Sequence, residues 1–132
     1  MMKIEKDGQL FAILHRKDEW IEGLNFLTPN ESFCQVGTWW YQKGKSLQAH
    51  KHIKNVRSNN ITQECVIVMS GSIHVDLYDE NDQHFQDIII NEGDMIVLLH
   101  GGHGYQILEE DTKVIECKNG PFISVEKDKI GL

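Results

Sequence analysis

The stretch from Glu64 to Tyr78, ECVIVMSGSIHVDLY, decides the fold. Glu64 to Met69 is a nearly continuous apolar run, the pattern of a short strand covered on both faces. Ser70-Gly71 breaks it, and Ser72 to Tyr78 then alternates, with Ile73, Val75 and Leu77 on one face. The cluster Asp79-Glu80-Asn81-Asp82 is a turn.

The same grammar runs outward in both directions. Leu10 to His15, Phe33 to Gln42, Gln48 to Ile53, Phe85 to Ile90, Met95 to Leu99, Tyr105 to Leu108 and Val114 to Lys118 all read as strands. Asp18 to Gly23 is the best helical signal and gives one or two turns at most, with Pro29-Asn30 marking a bend after it. About nine short strands with turns every eight to twelve residues predict an all-β sandwich or barrel, not alternating βαβ units. With 132 residues and no repeat, linker or low-complexity segment, residues 1–132 are expected to form a single domain.

Composition bounds the function. The net charge is −7, and no basic stripe interleaves with aromatics, so no nucleic-acid partner is expected. No apolar run approaches the roughly 18 residues of a membrane span. Met1 to Gly8 is polar and lacks a signal-like apolar region, so a cytoplasmic protein is expected. Cys34, Cys65 and Cys117 are scattered and odd in number, with no CxxC, and read as small apolar residues rather than disulfide or zinc ligands.

The histidines carry the chemistry. His50 and His52 stand two apart on an expected strand, so both face one side about 6.6–6.8 Å apart. Two imidazoles so placed can converge on one ion at about 2.0–2.1 Å each. His15, His74 and His84 read as ordinary residues, and His74 faces away from the core defined by Ile73 and Val75.

Two segments extend this reading. Gly44-x5-His50-x-His52 followed by Glu64-x6-Gly71 resembles the first signature motif of the cupins. Gly93-Asp94-Met95-Ile96-Val97-Leu98-Leu99-His100-Gly101-Gly102-His103 resembles the second, in which a glycine-aspartate turn opens a strand leading to a histidine. The resemblance covers residues 33–118 and implies a cupin-type double-stranded β-helix, a jelly-roll barrel. It also implies a metal site of His50, His52, Glu64 and His103, which suits Fe, Mn, Ni, Co or Zn. Residues 36–41, 101–105 and 118–122 further resemble small single-domain cupins encoded beside bacterial surface-polysaccharide genes, which implies a small polar or sugar-related ligand.

The chain departs from the motifs in two places. Eleven residues, 53–63, separate His52 from Glu64 where three or four are usual, and Gln63 takes the place of Glu64 if the register slips by one. His103 comes one residue early and Leu99 stands where proline is usual, so His100 competes for the third histidine. The glycines before His103 favour it, because they let the backbone curl inward. Tyr41, Arg57, Gln63, His100 and Tyr105 are the expected pocket-lining residues, with Arg57 suited to clamping an anion.

Three functions follow from these expectations: a metal-dependent oxygenase, isomerase or lyase, a metal-containing sensory or binding module, and a metal-free structural barrel. A homodimer is expected as well, with the strand at Leu10 to His15 pairing across a two-fold axis.

Overall fold

The computed structural model describes all 132 residues. Its strands are β1 (Met2–Lys6), β2 (Gln9–His15), β3 (Gly23–Phe26), β4 (Gly37–Trp40), β5 (Glu64–Ser70), β6 (Ser72–Tyr78), β7 (His84–Asn91), β8 (Met95–Leu98), β9 (Gly102–Ile107) and β10 (Lys113–Lys118). One short helix, α1 (Val125–Asp128), follows. The protein is all-β, and no helix is long and apolar enough to cross a membrane.

The strands form three antiparallel sheets. The largest runs β1-β2-β8-β5-β10, a second runs β7-β6-β9, and β3-β4 is a separate hairpin. No sheet closes on itself, so the expected barrel closure is not seen.

The period of two explains the layers. Val66 and Val68 of β5 pack with Ala12, Leu14, Ile96 and Leu98 of their own sheet. The same cluster takes in Ile73, Val75 and Leu77 of β6 and Ile88 and Ile90 of β7, so the main core lies between the two larger sheets. The alternate residues Cys65, Ile13, Met95 and Val97 face the other way, against Leu27, Cys34 and Val36. The middle strands are therefore covered on both faces, which is why β5 is written as an unbroken apolar run.

Several expectations need correction. Residues 48–53 form no strand, and all are exposed, so His50 and His52 do not share a sheet face. The segment 41–63 has few apolar side chains to bury, and those at Leu47, Ile53 and Val56 are exposed. Only Gly37–Trp40 of the expected strand at 33–42 is formed. Asp18 to Gly23 makes no helix, and Gly23 instead opens β3 at φ 98°. β2 is bordered by β1 and β8, so Leu10 to His15 offers no free edge to a second copy; the edges of that sheet are β1 and β10. His15 is buried, edge-on to Trp20.

The Gly93-Asp94 turn shows its purpose. Gly93 takes φ 84°. The buried Asp94 carboxylate accepts Arg16 Nη1 at 2.7 Å and the Lys17 and Asn91 amides at 3.0 Å each, tying β2 to the entry of β8. Burial pushes the Asp94 carboxyl up, but the Asn91 amide, Arg16 and the Lys17 amide outweigh it and hold it below the usual range. A lowered folded-state value stabilises above the unfolded value of about 3.9, and that stability is lost as pH falls through the folded value. Asp94→Asn is expected to cost about 1–3 kcal/mol at pH 7. The gap between variant and native protein is expected to narrow as pH falls from about 4 through the folded value; urea unfolding at several pH values measures it.

Candidate functional site

The site lies at one open end of the space between the two larger sheets. Tyr105 and His103 of β9 stand opposite Val75 and Leu77 of β6, so their side chains point inward with that core row. Glu64, at the start of β5, shares the face of Val66 and Val68 and points inward from the opposite sheet. The two walls meet there: Glu64 Oε1 accepts the Tyr105 hydroxyl at 2.7 Å and lies 2.9 Å from His103 Nε2. The rings of His103 and Tyr105 are 5.1 Å apart. Lys118 of β10 pairs with Glu64 in register and adds a cation to the same wall.

The electrostatics follow from this packing. Burial pushes the Glu64 carboxyl up, yet the bonds from His103 and Tyr105, with the charges of His103 and Lys118, bring it below the ordinary value. Glu64 is therefore a carboxylate at neutral pH. Tyr105 is pushed the opposite way, first by burial and then by donating to that carboxylate, so it stays a protonated donor.

These groups line a cavity of about 800 Å³ that also includes His100, Tyr78 and the chain from Lys127 to Leu132. Its size suits a small-molecule ligand. Gly101, at φ 69°, makes the sharp bend between His100 and His103.

The sequence-predicted residues divide clearly. Glu64, His103, Tyr105 and His100 line the cavity; Tyr41, Arg57, Gln63, His50 and His52 do not. His103 is the histidine that touches Glu64, while His100 stands at the rim with Nδ1 3.8 Å from Glu80. Gln63 is buried and holds backbone in place. Its Oε1 accepts the Cys34 amide at 2.9 Å and its Nε2 donates to the Leu99 carbonyl at 3.3 Å. His50 and His52 sit together in the exposed segment, their rings 5.3 Å apart. The four expected ligands thus stand as two pairs. The single group of three whose donor atoms lie within 4.8 Å of one another is His74, Asp76 and Asp87, on the outer face of the smaller sheet.

Sequence reasoning missed that group. Its signal was present: His74 and Asp76 alternate with the core residues, and the turn at 79–82 folds Asp87 back opposite Asp76. Lys118 was also missed, because its pairing with Glu64 depends on a long-range register.

Comparison with known proteins adds no relative: no family model matches the chain, and neither a curated protein nor a solved structure does.

Proposed function

We propose that this chain is a small cupin-type protein that binds a small polar or sugar-related molecule in the cavity built on Glu64, His103 and Tyr105. A divalent transition metal would be held by Glu64 and His103; His50 and His52 stand outside the cavity and would complete the set once residues 50–52 are drawn onto it. The observation that carries this reading is the meeting of a buried carboxylate and an imidazole, from opposite sheets, at the wall of a ligand-sized cavity. One nitrogen and one carboxylate donor already in contact are the start of a mixed N/O ligand set. The metal would supply Lewis acidity toward a bound oxygen atom. Tyr105 orients Glu64, and the polar lining, with Lys118 on the same wall and paired to Asp128 at 3.5 Å, suits a hydroxyl-rich ligand.

One observation favours a second reading, metal-free acid–base chemistry of the isomerase or lyase kind. With Glu64 accepting from His103 Nε2–H, the other ring nitrogen carries the lone pair of a general base.

Metal analysis of protein purified without a histidine tag separates the two. The first reading expects a Fe, Mn, Co, Ni or Zn ion at the cavity, so that His103→Gln holds one ion per chain fewer than the native protein. Native protein that holds no more metal than His103→Gln, before or after each metal is added, contradicts it and leaves the acid–base reading.

A further inference from the structure

We propose that the outer face of the β6–β7 hairpin is a second divalent-metal site, formed by His74, Asp76 and Asp87 with His84 beside them, separate from the cavity. His74 and Asp76 share the outward face of β6, and Asp87 of β7 is the direct cross-strand partner of Asp76. Two carboxylates opposed in this way repel each other unless a cation lies between them. The geometry provides for one. His74 Nδ1 is 3.3 Å from Asp76 Oδ1 and its Nε2 is 3.2 Å from Asp87 Oδ1. His84 Nε2 lies 2.9 Å from the same Asp87 oxygen.

Donor atoms sharing one ion at about 2.0–2.2 Å stand roughly 3–3.5 Å apart, the spacing of His74 Nε2 and Asp87 Oδ1, and one donor atom from each of His74, Asp76 and Asp87 lies within 4.8 Å of the others. Gly104 lies opposite Asp76 on the other side of β6. A Cβ there would come 3.0 Å from Asp76 Oδ2, so the glycine leaves the carboxylate room. His74 and Asp76 are about a quarter to a third exposed and Asp87 about half, so an ion can enter from solvent. One imidazole and two carboxylates form a mixed N/O set that suits a zinc-class ion, with His74 giving one nitrogen and releasing one of its two carboxylate contacts. Binding there clamps β6 to β7.

The probe is Co(II), added to protein whose cavity ligands are removed by His50→Gln, His52→Gln and His103→Gln. We expect this variant to bind one Co(II) per chain, and Asp87→Asn or His74→Gln added to it to weaken that binding at least about tenfold. In the unsubstituted protein, paramagnetic shifts are expected at the amides of residues 74–76 and 84–88. A cavity-ligand variant that binds no Co(II), or an affinity that neither further substitution changes, overturns the proposal. Failure of the cavity reading looks different: the unsubstituted protein and the cavity-ligand variant would bind the same single ion.

Discussion

Replacing Gly101 with alanine is expected to cost about 3 kcal/mol or more, and to lower Tm by about 10 °C. Two penalties combine. Gly101 holds φ 69°, where an added Cβ is strained. That Cβ would also overlap the Tyr78 carbonyl oxygen and meet the Phe11 ring at 2.9–3.0 Å, neither of which can give way cheaply. Gly8 provides the control. It has φ 79° but nothing within 4 Å of an added Cβ, so Gly8→Ala carries only the backbone strain, about 1–2 kcal/mol. Urea midpoints of the two variants test the difference. Equal losses would show that the bend before His103 is not held against Tyr78 and Phe11.

The second large effect is at Glu64. Glu64→Ala removes the acceptor of both the Tyr105 hydroxyl and His103 Nε2 at once. Leaving those donors without a partner is expected to cost about 2 kcal/mol, since His103 remains partly open to water. Metal affinity is expected to fall on the order of 100-fold. Glu64→Gln separates the two consequences. Its carbonyl still accepts from Tyr105, so most of the stability returns, but the charge that holds a cation does not. Stability from denaturant unfolding and affinity from calorimetric metal titration measure the pair. A Glu64→Gln variant that binds metal as the native protein does would remove Glu64 from the ligand set.

The two carboxylate positions show why some of the structure was legible in the sequence and some was not. β5, β6 and β8 were readable because each spends its apolar residues on a defined face or on both. Glu64 sits in that periodicity, and its inward direction follows from Val66 and Val68. The parity of β6 likewise sends His103 and Tyr105 inward once β9 is paired with it. His50 and His52 had spacing but no packing: nothing apolar on either side of them is buried, so an HxH pattern alone does not make a strand. β1, β3 and the β3–β4 hairpin escaped notice for a related reason. They expose much of their surface, including Leu24, Phe26, Trp39 and Trp40, and bury only single residues such as Ile4 and Thr38, too few to mark a face. The cluster at His74, Asp76 and Asp87 needed a hairpin register, and a histidine on the outer face of a strand reads as solvent-facing until its cross-strand neighbours are known.

The cavity and its metal are tested together by anomalous diffraction from crystals grown with one equivalent of Mn(II) or Zn(II), collected at the metal's absorption edge. A peak is expected within about 2.0–2.2 Å of a Glu64 oxygen and of a His103 nitrogen, with residues 50–52 drawn in to complete the coordination. A peak on His50 and His52 alone, or no peak beside Glu64 and His103 at full metal loading, would contradict a metal centre in the cavity.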